Sequence, residues 1–303
     1  MELTLTIILV ILLGIEWAAG KITGNNVYKF RNTIVNSVLG GLTVFSEFIC
    51  TFIALPLFYW IYKEHSFFTF NNHSITAFIV LFFAIDFFDY WYHRISHKVN
   101  LMWTAHIVHH SSETYNITVG LRASFLVPVF NIAGYSVFSF LGFDPNMVLP
   151  ILLVTGLYNL VIHTEFIGKL GWLEYIFVTP HSHRIHHSKH QEHMDKNFGK
   201  LFAFWDILFG TFIKDADESK IEFGVADTHG GSGVGSSLFY PMKKIANSVR
   251  CEKSWKQKFK VVFGSPSTAE KIYLDRKKLI PMEGEYVAVN RKDFKEEKEL
   301  VAA

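Results

Sequence analysis

The chain has 303 residues, enough for one large domain or two small ones. Half of it is hydrophobic and only 18% is charged, against roughly 25% in ordinary soluble domains, which argues for a membrane protein. The net charge of +2 offers no electrostatic ground for binding nucleic acid.

Residues 4–19 are apolar apart from Glu16 and lack the basic start of a cleaved signal peptide, so they read as a short anchor helix. Residues 34–62 form a long apolar run containing Glu47 and Pro56, and the proline either kinks one helix or divides two. Residues 74–92 come close to the ~20 residues a bilayer requires. Two further runs, 119–142 and 146–166, flank the turn Phe143-Asp144-Pro145-Asn146 and either cross fully or return as a shallow hairpin. Five crossings place residues 20–33, residues 93–118 and everything after 167 on one side. The other side has Lys63 as its only Lys or Arg, so the first side is assigned to the cytoplasm. The expected fold is an all-α, multi-pass integral membrane protein of about four to five transmembrane helices with a cytoplasmic histidine-rich helical cap. Its membrane would be the endoplasmic reticulum in a eukaryote or the inner membrane in a bacterium. Three regions are expected: N-terminal membrane helices (1–73), a core (74–213) and a basic cytoplasmic tail (214–303).

From Pro241 onward there are 15 Lys/Arg against 9 Asp/Glu, a balance that suits either an anionic leaflet or a solvated surface. Within this tail Trp255, Phe259, Val262 and Phe263 follow helical spacing, with Lys253, Lys256 and Lys260 among them. The stretch is either an interfacial helix or a small packed one.

Most of the fifteen histidines crowd between His93 and His193. His93 and His97 form one cluster, His106, His109 and His110 a second, and His183, His186 and His187 a third. On a helix, spacings of three and four residues gather each cluster on one face. Eight imidazoles exceed what one ion can hold and suit two. Imidazole donors accept Fe, Zn, Cu or Ni, and neither Cys50 nor Cys251 is placed to add a thiolate. His163, at the end of an apolar run, is a further ligand candidate. His181, His190 and His193 flank the third cluster as outer or solvated groups, and His65, His73 and His229 are not expected to ligate. Asp86 and Asp89 share a helical stripe with His93 and His97, which offers them as carboxylate partners for the imidazole N–H groups. The competing reading is a polar contact with Arg122 or a tyrosine.

The three clusters, in this order, resemble the fatty acid hydroxylase/sterol desaturase superfamily of membrane di-iron enzymes. The resemblance extends over Asp86–His97, Met102–Asn116, Ile162–His187 and Asp195–Phe212, and is greatest to its ether-lipid monooxygenases. It implies two Fe ions held by His93, His97, His106, His109, His110, His163, His183, His186 and His187, with no catalytic side chain beyond these ligands. Asn197 and Gly199 match a motif beyond the last cluster, with Asn197 a supporting residue. The resemblance implies a lipid hydroxylase that uses O2, or a sterol or fatty-acyl desaturase on the same scaffold, with a membrane lipid as substrate. Ether-lipid relatives are longer and carry more membrane segments, so their tetrahydrobiopterin is not transferred to this chain. No nicotinamide, flavin or cytochrome motif is visible, so the electron donor is expected to be a separate reductase or redox carrier. A metal-binding or transport protein is the remote alternative, and it would spread its histidines along a path through the membrane.

Overall fold

A computed structural model describes residues 2–217, 220–225 and 233–277. Among these residues the protein is all-helical, with two isolated β-bridges. The first three helices are α1 (Glu2–Thr23), α2 (Phe30–His65) and α3 (Ile75–Lys98). Then come α4 (Asn100–His110), α5 (Ile117–Leu121), α6 (Val127–Leu141) and α7 (Pro145–Val161). After α8 (Pro180–His186) and α9 (Phe204–Leu208) the described residues end in α10 (Val234–Cys251), α11 (Trp255–Phe263) and α12 (Pro266–Lys277).

Two of these, α2 and α3, are long and apolar enough to cross a membrane. Their outward surfaces are apolar, as lipid contact requires: Phe45, Phe48, Phe52 and Ile53 of α2 and Ile79 and Val80 of α3 are exposed. The protein is accordingly a membrane protein. Pro56 does not divide α2, which runs unbroken through it for 36 residues, about 54 Å. That exceeds the ~30 Å hydrocarbon core. The surplus is used at its start, where Asn36 donates to Thr118 Oγ1 and Val35 and Leu39 pack on Val108. The α6 and α7 helices, of 15 and 17 residues, reach only about 22–26 Å. As separate helices they fall short of the thickness that the sequence runs suggested.

The bundle has two distinct ends. At one, Ala77, Leu81 and Ile85 of α3 pack on Tyr135 and Phe138 of α6 and on Met147, Val148 and Ile151 of α7. There the 66–73 connection meets the α6–α7 turn: Phe70 stacks on Phe143, and the Phe67 N–H donates to Phe140 O. Gly142 closes α6 at φ +97°, and a Cβ there would strike Phe68 O. At the opposite end, α3 hands over to α4 at residue 99, and α4, α5, α8 and α9 form a polar-cored cap. Helices α10, α11 and α12 pack on α4, so the described part of the tail is folded against this cap rather than detached. His229 and residues 278–303 lie outside the described residues.

Candidate metal centre

All nine histidines singled out in the sequence come together in the cap. His93 and His97 lie on the last turns of α3, His106, His109 and His110 on α4, and His183 and His186 on α8, with His187 as its C-cap. His163 follows α7 by two residues. They form two groups, within each of which the ligand atoms lie no more than 4.8 Å apart: His93, His97, His106, His110 and His186, and His109, His163, His183 and His187.

The expectation that each cluster faces one way is corrected here. In a His-x-x-His-His run the first and last residues differ by about 40° around the helix, while the middle histidine lies about 60° to the other side of the first. Helix α4 therefore gives His106 and His110 to one group and His109 to the other, and α8 gives His183 and His187 to one and His186 to the other. Each short helix is wedged between the groups and serves both.

Backbone carbonyls set the imidazole tautomers. The Nδ1–H groups of His93, His109, His163 and His186 donate to Phe198 O (2.8 Å), Arg122 O (3.0 Å), Asn159 O (2.5 Å) and Lys196 O (2.7 Å). Each such bond leaves Nε2 with a bare lone pair aimed inward. The Nε2 atoms of His163 and His109 then face one another at 3.2 Å, and Nε2 of His163 is 3.2 Å from that of His187 and 3.1 Å from that of His183. In the other group, His106 Nε2 is 3.0 Å from His93 Nε2 and 3.1 Å from His110 Nε2. His97 Nε2 and His186 Nε2 are buried with no partner. Opposed lone pairs repel unless a cation lies between them, so this donor set fits metal ions. Combined with a hydroxylase-type sequence, all-imidazole ligation suggests iron.

Burial favours the neutral imidazole throughout. Desolvation lowers the pKa of His109 to about 4 and that of His186 to about 3, and puts His106, His110, His163, His183 and His187 well below the usual 6.5. Neutral Nε2 donors are thus available at neutral pH without prior proton loss. In the metal-free protein the unfolded chain binds protons near pH 6.5 while folded His109 resists them to about pH 4 and folded His186 to about pH 3. Stability is expected to be full above pH 6.5 and to fall as pH drops from 6.5 towards 4. Thermal unfolding of chelator-stripped protein across that window checks this, and an unchanged midpoint would contradict it.

The acidic residues do not play their expected role. Asp86 accepts from the backbone N–H groups of Leu201 and Phe202 and from Trp205 Nε1. Asp89 accepts from Tyr135 OH at 2.5 Å and from Lys200 Nζ at 2.9 Å. Among the described residues neither hydrogen bonds to an imidazole, because both project from α3 towards the 198–205 segment and α6. Asp89 instead makes the tyrosine contact that was the competing reading. Asn197, at φ +54°, donates to Ser182 O and Ile213 O and accepts from the Ile213 N–H, so it ties α8 to the 211–213 segment.

Sequence reasoning missed Asp206. Its buried carboxylate accepts from the Phe198 and Gly199 N–H groups and from Thr211 Oγ1, fixing the peptide whose carbonyl holds His93. Only its place in an apolar stretch downstream of the third cluster hinted at burial. Gly199 is compelled by its close packing, since a Cβ would lie 2.6 Å from Phe202 O and 2.7 Å from Val178 Cγ2. Asp206→Ala strands three donors and is expected to cost about 2–3 kcal/mol in stability. Through His93 it should weaken metal binding at the five-histidine group about 10–100-fold. Chelator competition measures this, and wild-type affinity would remove Asp206 from the argument.

The other described histidines stay outside both groups. His181 Nε2 contacts Lys214 O, His190 Nε2 contacts Lys220 O, and His193 Nδ1 contacts Ser188 Oγ. His65 packs against Trp60, and His73 lies in the connection at the far end of α3. A cavity of about 400 Å³ reaches His97, His110, His186 and His187 from the tail side, walled by Trp103, Ile107 and one face of α10.

Residues 78–211 match the family model described as Fatty acid hydroxylase. The chain is 33% identical over 214 residues to human "Alkylglycerol monooxygenase", covering 71% of this chain and 47% of the relative. It is 40% identical over 144 residues to the protein of the same name from Xenopus tropicalis, covering 48% and 32%. It is also 34% identical over 138 residues to "Ornithine lipid hydroxylase OlsE" of Rhizobium tropici, covering 45% and 41%. The matched region is less than half the length of each of these relatives. No solved structure matches the chain.

Proposed function

The chain carries a fatty acid hydroxylase domain over residues 78–211, and from that premise we propose that it is a membrane monooxygenase that hydroxylates a lipid C–H bond with O2. The observation that carries this reading is the convergence of nine imidazoles into two groups with inward lone pairs. His93, His97, His106, His110 and His186 would hold one iron, and His109, His163, His183 and His187 the other. Iron bound there supplies the O2-dependent redox chemistry that no amino-acid side chain provides. A separate reductase or redox carrier delivers the electrons. An ether lipid is a candidate substrate because several relatives are named alkylglycerol monooxygenases.

The protein's own contribution is orientation and enclosure. The carbonyls of Phe198, Arg122, Asn159 and Lys196 keep their imidazoles in one tautomer and one rotation. The cavity beside His97, His110, His186 and His187 is of ligand-binding size and receives the lipid segment to be oxidised, out of bulk water. Its α10 wall presents Tyr240, Pro241, Lys244, Ile245 and Ser248 at the spacing of one helical face. Ile245→Trp is expected to lower turnover roughly 10–100-fold by overfilling this space, with iron content unchanged. Unaltered turnover and products would place the substrate elsewhere.

Four to five crossings, drawn from α1, α2, α3 and the α6–α7 pair, are proposed, with the histidine cap in the cytoplasm. Support comes from the positive charge of that side and from the gathering of all nine histidines at one end of α3.

Lipid analysis of cells with and without the gene, grown under isotope-labelled O2, tests the reaction. Label in a lipid alcohol, or in an aldehyde derived from an ether, is the expected result. Loss of two hydrogens without label would instead identify a desaturase. No lipid change together with altered metal efflux would sink the enzyme reading.

A further inference from the structure

Helix α11 presents apolar surface in two directions. Val261 is fully buried and faces the protein, where its carbonyl accepts from Asn100 Nδ2, while Gly264 O accepts from the Asn100 N–H. On another face, Trp255, Phe259 and Phe263 recur every four residues and are 83%, 65% and 49% exposed. That spacing turns by only about 40° per step, so the three rings form a single stripe, with Phe259 and Phe263 in contact. Lysines border it: Lys258 lies over the Trp255 ring, Lys256 and Lys260 flank the other edge, and Lys253 precedes the helix. The helix contains no acidic residue.

Two observations identify what covers this stripe. Its rim is uniformly cationic, which suits an anionic surface. Its tether, Asn100, lies two residues beyond the end of α3, a helix long and apolar enough to cross a membrane, so α11 is held at the end of that helix which carries His93 and His97. We propose that α11 lies flat on the anionic lipid surface of the membrane face that carries the histidines, with Trp255, Phe259 and Phe263 among the acyl chains and the lysines among the headgroups. Ser265, Pro266 and Ser267, which follow at once, line the cavity that reaches the histidine groups. Docking of α11 therefore sets that part of the cavity wall at the lipid surface.

The test uses the full chain in phosphatidylcholine vesicles with or without phosphatidylglycerol. A nitroxide is attached at Phe259→Cys in a Cys50→Ala, Cys251→Ser background, and its accessibility to O2 and to a water-soluble nickel chelate is measured. The expected result is a label that favours O2 when anionic lipid is present, while a label at Gln257→Cys on the opposite side stays open to the chelate. Lys253→Glu, Lys256→Glu and Lys260→Glu combined should return the Phe259 position to water, since each lost lysine weakens docking roughly fivefold. A Phe259 label equally open to the chelate in both vesicles would overturn the proposal. So would one shielded from both reagents, which would mean that a second copy or another part of the chain covers the stripe.

Discussion

His109→Ala is expected to cut lipid oxidation more than about 100-fold and to remove one metal ion per chain while the other stays bound. His109 belongs to the smaller group, where three imidazoles would remain, and its Nε2 is one of those opposed at close range to His163. His106, three residues earlier on the same helix, belongs to the larger group, where four would remain. His106→Ala should therefore lose less metal than His109→Ala, and from the other group. Metal content and turnover measured on both variants decide the matter. Full activity in His109→Ala, or identical losses from the same group in both, would contradict the division of α4 between two ions.

Arg122→Ala is expected to have the largest effect on stability, on the order of 3–5 kcal/mol. The guanidinium is buried and donates to Val108 O, Asn36 Oδ1, Ser111 Oγ and Ser237 Oγ, so it joins α4, α2 and α10 at one point. Its removal leaves acceptors from three elements without donors in an apolar surrounding. Its own carbonyl holds His109 Nδ1, so a shifted backbone at 122 also disturbs the four-histidine group. Arg122→Lys should rescue little, because one ammonium cannot reproduce the planar fork. Thermal unfolding in detergent checks both variants, and a midpoint within a degree or two of wild type for Arg122→Ala would refute the role.

Much of the site was legible in the sequence, and for a physical reason. Histidine is uncommon enough, and helical spacing regular enough, that His93 to His187 announce a candidate metal centre without any tertiary information. Their division was less visible. The 40° and 60° offsets on α4 and α8 are computable from spacing alone, but they acquire meaning only once a histidine group is known to lie on each side of the helix. The carbonyl partners carried no signal at all, because Phe198, Arg122, Asn159 and Lys196 act through backbone oxygens that any residue possesses. Asp86 and Asp89 misled because a shared stripe on α3 shows which way a side chain points, not which segment meets it. Pro56 was ambiguous in sequence and proved compatible with an unbroken α2. The tail read as a separate basic region because its contacts are with α4, more than a hundred residues earlier, a pairing that local pattern does not encode.

The division of the nine histidines into two ion sites is tested most directly by anomalous diffraction at the iron absorption edge from the purified full chain. Two iron peaks are predicted, one enclosed by His93, His97, His106, His110 and His186 and the other by His109, His163, His183 and His187. A single peak would contradict the division, and a signal that appears at the zinc edge instead would contradict iron as the metal.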